Sequence, residues 1–198
     1  APGQAEGFLG HIGGYAVEEL APRASFEEVT HLLWHDRLPN AAELQALCET
    51  LSEHRALSAE ALDLLAAAAK RQTPAIDTLR LATDALTMRS KADDPRDDAV
   101  RLVAAMPTIV AAYWRLLRGE EPVEPNSDMG HAENYLQMLS GQRPEPTQVR
   151  ALEAYWNTVI EHGFNASTFA ARVIVSTHSD LISGVTGALG ALKGPRHG

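Results

Sequence analysis

Two short segments of this chain hold residue types suited to chemistry on carboxylates and carbonyls. Residues 161–167 read EHGFNAS, which sets His162 and Gly163 ahead of Asn165 and Ser167. Gly163 permits backbone angles that other residues avoid, and Asn165 is a strong N-cap for a helix beginning near Ala166. A helix start offers unpaired N–H groups and about half a unit of positive charge, so it favours a carboxylate, and a neighbouring histidine can donate a hydrogen bond to the same anion. The same residues also fit a plain helix cap, with His162 filling a polar gap. Residues 193–198 read KGPRHG and hold His197 in a Gly/Pro-bounded turn just past a helix. A histidine fixed in this way can act as a hydrogen-bond donor or general acid near neutral pH. A solvated turn histidine is the other reading of the local sequence.

The remaining histidines point to structure. His31, His35, His54 and His178 fall in helical patterns, His11 lies in a Gly-rich opening, and His131 precedes a helix, where a structural role outweighs a place facing the site. No metal is expected, because no His/Asp/Glu set has the close spacing of a zinc motif. The single cysteine, Cys48, has no partner for a disulfide or a redox pair and is expected to fill the core. Neither a Walker nor a dinucleotide fingerprint occurs.

The elements that must position these residues are helices. Ser25 with Glu28 and Asn40 with Glu43 have the spacing of capping boxes. Behind them Phe26, Val29, Leu32 and Leu33, and then Leu44, Leu47, Cys48 and Leu51, make apolar stripes at helical spacing. Ser58 starts a further helix that ends before Pro74, and Asp77 is placed to cap another through about Met88. Asp94-Pro95 opens a long apolar helix that Pro107 is expected to kink or split and Gly119 to stop. Helices near Ala132–Leu139 and Thr147–Glu161 follow. The stretch from Asn165 to Leu192 is rich in small residues, with Gly184, Gly187 and Gly190 on its last helix, which predicts close helix packing. No segment alternates long enough to make a strand, so the predicted fold class is all-α.

With 198 residues, 45% of them hydrophobic, the chain can bury a real core. A formal charge of −9 without a basic cluster argues against a nucleic-acid partner, and any anionic ligand must be drawn by local groups. No apolar run of membrane-spanning length and no leader stand out, so a soluble, cytoplasmic protein is expected, with no membrane partner.

In order, these segments resemble the citrate synthase family. GGYAVEELA is similar to its YRGY-type opening, FEEVTHLLWHDRLPNAAEL to its next two helices and PAIDTLR to its P-M-D-x-L-R element. MPTIVAAYWRLLRG, HAENYLQMLSG, EHGFNASTFAARVIVSTHSDL and GALGALKGPRHG continue the match in the family's order. The resemblance implies that His162, before the N-A-S-T-F helix, binds oxaloacetate, with Asn165 and Ser167 lining the same pocket. It makes His197, in G-P-x-H-G, the catalytic donor to the acetyl-CoA thioester oxygen. The 35-position separation of the two histidines matches the bacterial and archaeal pattern. One departure is Gly13, which stands where the family's arginine would be.

The resemblance also implies condensation of acetyl-CoA with oxaloacetate to give citrate and CoA, with acetyl-CoA as co-substrate, no other cofactor, and a homodimer. The family's G-x-G-H-R-V-Y segment, clamp arginines and catalytic aspartate have no match in residues 1–198. The chain is therefore expected to be the N-terminal portion of the large domain, without the small domain, and inactive alone. The alternatives are a 2-methylcitrate synthase using propionyl-CoA and a non-catalytic helical dimerisation module.

Overall fold

The computed structural model describes residues 10–89, 94–161 and 163–197, and ten α-helices form within them. They divide between two compact units, one comprising the residues up to Cys48 with the segment from Pro144 to position 162, the other running from Glu49 to Arg143 and from Gly163 onward.

The first unit opens on a two-stranded antiparallel hairpin, β1 (His11–Ile12) and β2 (Tyr15–Ala16), where sequence periodicity predicts no strand. Its two-residue loop, Gly13-Gly14, has φ of 54° and 87°. Positive φ at both positions is what such a hairpin turn demands. A Cβ on Gly13 would lie 2.7 Å from the Leu32 side chain, so the glycine is needed for space as well as for backbone.

After α1 (Val17–Leu20), Ser25 and Glu28 close the expected capping box on α2 (Phe26–His35), with bonds of 3.1 and 2.7 Å. Asn40 and Glu43 do the same for α3 (Ala41–Glu53). Arg37 makes a two-pronged bond to Glu43 and, with the Asn40 N–H, pulls its carboxyl down to about 2. Val29 and Leu32 pack with Ile12, Leu20 and Ala24. Helix α8 (Pro146–Val159) is stitched on by Asn157, whose Nδ2 donates to the Ala24 carbonyl at 2.8 Å, and by Trp156 edge-on to Phe26. Cys48 is only half-buried, short of the core role expected for it.

The second unit is built on α6 (Pro95–Leu117), started by Asp94 and Pro95 as expected. Its residues Leu102, Ala105, Ile109 and Tyr113 pack with Leu65 of α4 (Ala59–Lys70), Ala82 of α5 (Ala75–Asp84) and Ile182 of α10 (Leu181–Leu192). At 23 residues α6 is long and apolar enough to cross a membrane by length and composition, which corrects the reading that no such segment exists. Its apolar stripe is spent on this core. Helix α5 begins at Ala75 behind Pro74, so Asp77 sits in its first turn rather than capping it, and the helix tightens into a 3-10 turn at Ala85–Arg89.

Pro107 leaves α6 continuous. A proline inside a helix orphans the carbonyl four residues earlier, here that of Val103. His131, at the start of α7 (His131–Ser140), is buried, with the Val103 backbone among its electrostatic neighbours. Burial and the nearby Arg55 charge hold the imidazole neutral down to about 3, although the Val103 backbone works the other way. The chain's stability should therefore fall with acid. The unfolded chain takes up this proton near 6.5 while the folded one refuses it until about 3, so stability present above pH 6.5 drains away across that interval. Urea unfolding between pH 7 and pH 4 is predicted to lose a few kcal/mol from this source. A His131→Gln variant, which cannot titrate there, should show a correspondingly flatter profile.

Candidate active site

The site is assembled where α9 (Ala166–Val175) begins and where the chain turns after α10. Asn165 caps α9 as its sequence predicts. Its Oδ1 accepts from the Thr168 N–H at 2.9 Å and from the Ser167 hydroxyl at 2.7 Å. The Ser167 N–H donates to Nε2 of His197 at 3.2 Å. Two N–H groups of the first turn, which the sequence reading left open for a carboxylate, are thus already engaged.

The bond to His197 decides which ring nitrogen can act. Nε2 accepts and so carries no hydrogen, which leaves Nδ1 as the N–H of the ring. The His197 backbone N–H bonds to the Gly194 carbonyl at 2.9 Å, and Gly194 N–H to the Ala191 carbonyl at 3.0 Å, so the turn is ordered by its own main chain. The half-buried ring presents one N–H donor from a fixed mount. Such a group can polarise a carbonyl or meet a developing oxyanion.

The two helices reach this arrangement because α10 carries glycine where α9 presents branched side chains. A Cβ on Gly184 would lie 2.8 Å from Val175, and one on Gly187 would collide with Ile174. Beside the site, Phe164 meets Phe169 edge-on at 6.0 Å, and the Arg172 guanidinium lies 5.4 Å from the Phe164 ring centre.

Of the site residues expected from sequence, Asn165, Ser167 and His197 come together in the second unit. His162 lies outside the described residues. The other histidines have structural settings. His31 Nδ1 bonds the Arg37 carbonyl, and His54 Nδ1 the Thr50 carbonyl. His178 sits in the α9–α10 link with φ of 65° rather than in a helix.

Comparison with known proteins places this geometry. The family model described as "Citrate synthase, C-terminal domain" matches residues 4–198. The chain is 42% identical over 191 residues to citrate synthase 2 of Bacillus subtilis, covering 93% of this chain and 51% of the relative. It is 45% identical over 193 residues to the 2-methylcitrate synthase of Mycobacterium tuberculosis, covering 93% and 48%. The chain thus spans about half the length of the curated relatives it matches. Among solved structures, it is similar to the ternary complex of carboxymethyl coenzyme A and oxaloacetate with citrate synthase from Thermoplasma acidophilum. There the TM-score is 0.84 and the identity 29%, covering 93% of this chain and 50% of that one. With its motifs in the family's order, its helices in the family's arrangement and a family match over nearly its whole length, the chain belongs to the citrate synthase family, of bacterial and archaeal type.

Proposed function

We propose that this chain carries part of the active site of a citrate synthase, which joins acetyl-CoA to oxaloacetate and hydrolyses the thioester to citrate and CoA. The observation that carries this reading is the hydrogen bond from the Ser167 N–H to His197 Nε2. Forming a carbon nucleophile from an acetyl thioester means removing a methyl proton and moving the electron pair onto the thioester oxygen. The Nδ1–H of His197 meets the charge that develops there. Losing one such donor commonly costs about 10²–10³ in kcat. His162, Asn165 and Ser167 hold oxaloacetate in this reading, His162 by motif alone. The carbon then attacks the ketone of oxaloacetate, whose oxygen takes up a proton, and water releases CoA from the citryl thioester. Acetyl-CoA is the co-substrate and no further cofactor is invoked. The reaction belongs to the tricarboxylic acid cycle, and a cytoplasmic setting suits a chain with a single cysteine.

Relatives of both kinds, at similar identity, keep a second reading open: a 2-methylcitrate synthase that takes propionyl-CoA. One methylene changes binding by only about 1–3 kcal/mol, less than shared motifs can register. On the full-length gene product, kcat/KM is predicted to be higher for acetyl-CoA than for propionyl-CoA. His197→Ala should lower kcat by about 10²–10³ with either substrate. A higher value for propionyl-CoA would reverse the choice, and full activity without His197 would end the reading.

The domain reading stands with this proposal: residues 1–198 form the N-terminal portion of the large domain, near its boundary with the small one. None of the carboxylates in these residues matches the family's catalytic aspartate, so a polypeptide of residues 1–198 alone should not make citrate. Spectrophotometric release of CoA by that polypeptide at an ordinary enzymatic rate would refute the assignment of the missing base.

A homodimer is proposed as well. Ile76 and Leu79 of α5 with Val110, Tyr113 and Trp114 of α6 line an apolar groove of about 360 Å³, and Trp114 is 49% exposed. Phe169 and Val173 are exposed apolar residues on α9 as well. Patches of this kind are the usual material of a two-fold interface. Sedimentation of the full-length gene product at micromolar concentration should give a dimer, and Trp114→Glu should shift it toward monomer.

A further inference from the structure

We propose that Asp77 and Lys193 are a positioning pair that holds His197 in register with the start of α9. The proposal rests on the reading of His197 as the donor to the thioester oxygen. Lys193, the residue after α10, places Nζ 2.6 and 2.9 Å from the two carboxylate oxygens of Asp77, although the residues are 116 positions apart. Asp77 is in the first turn of α5, where its own N–H bonds the Pro74 carbonyl, and its side chain is only 16% exposed. Arg80, one turn further along α5, lies 3.6 Å from the same carboxylate. The anchor is therefore a carboxylate on a helix, with one cation on its own helix and one at the end of α10.

The far side needs such an anchor. Helix α10 contains Gly184, Gly187 and Gly190, and glycine is the poorest helix former after proline, so the position of its C-terminal end depends on contacts rather than on propensity. From Lys193 the chain reaches His197 in four residues through two short-range main-chain bonds, Gly194 to Ala191 and His197 to Gly194. The first ties the turn back to the last turn of α10, as does the Lys193 N–H bond to the Leu189 carbonyl, and neither reaches another element. Besides the packing of α10 itself, two side-chain contacts refer His197 to the rest of the unit: its ring on Ser167, and the root of its turn on Asp77. With Lys193 released, the turn can swing about the end of α10 and carry the imidazole off the Ser167 N–H. That would free Nε2 to take the ring hydrogen and turn the donor away from Nδ1. Lys193 is 48% exposed, and an ion pair this open adds little to global stability, so its consequence is geometric.

The test uses the full-length gene product. Asp77→Asn and Lys193→Met should each lower kcat about tenfold while leaving KM for oxaloacetate within about twofold, the pattern of a donor displaced rather than a substrate lost. The double variant should be no worse than either single one, since both break the same contact. Lys193→Arg, which keeps the cation, should retain most of kcat. Nitrogen-15 NMR of the His197 imidazole gives a readout independent of turnover: one tautomer with hydrogen on Nδ1 in the wild type and in Lys193→Arg, a mixture of tautomers in Asp77→Asn and Lys193→Met. If Asp77→Asn fails to fold, the Lys193 variants carry the test. Wild-type kcat with unchanged ring signals in Lys193→Met would overturn the proposal, and so would losses that multiply in the double variant. If the wild type turns over neither acetyl-CoA nor propionyl-CoA, the functional reading fails. The ring signals would then decide the pair by themselves, unchanged tautomers in Lys193→Met overturning it.

Discussion

The close approach of α9 and α10 is the constraint on which the candidate site depends. Gly184 lies against Val175 and Gly187 against Ile174, so the helices run antiparallel at a distance that side chains on those glycines would forbid. Antiparallel order carries the pairing onward until the first turn of α9 meets the turn after α10, where Ser167 faces His197. A histidine in a Gly/Pro turn would otherwise have many orientations. Here a backbone N–H at a helix start, a group with no partner inside its own helix, selects one tautomer of the ring. The site gains its donor from the same packing that builds the core.

Two buried polar residues of the second unit, Arg55 and His131, lie where the backbone bears on them. Arg55 is 1% exposed and bonds the carbonyls of Asn126 and Met129, both at 2.8 Å, holding the loop between α6 and α7. His131 is buried where the Val103 backbone acts on it, and Pro107 leaves that residue's carbonyl without its usual helical donor. A buried polar group without a partner would cost about 1–3 kcal/mol, a cost the Arg55 bonds remove for these two loop carbonyls. Helix α6 stays whole across Pro107 and keeps its packing against α4, α5 and α10, the elements on which the site stands.

Much of the architecture was legible in the sequence because it is encoded locally. The boxes of Ser25 with Glu28 and of Asn40 with Glu43, the Asp94-Pro95 start and the Asn165 cap are each written within four residues, and each forms as read. Local rules failed where a distant partner decided the outcome. Asp77 looks like a cap because nothing nearby shows Lys193 waiting 116 positions on. Pro107 looks like a break, yet α6 runs through it packed against three distant helices. The Gly13-Gly14 hairpin is the exception, since its signal is local, but strands of two residues are too short for alternation to register.

By itself, then, the sequence determined the helical class, most helix starts and the membership of Asn165, Ser167 and His197 in one candidate site, because capping and family motifs are short-range patterns of residue type. Only the tertiary structure decided which nitrogen of His197 bears the hydrogen, which first-turn N–H groups of α9 are already taken, and which carboxylate braces the turn. Those outcomes depend on distances between residues 30 and 116 positions apart, set by how closely glycine lets two helices approach, and no local pattern of residue types contains that distance.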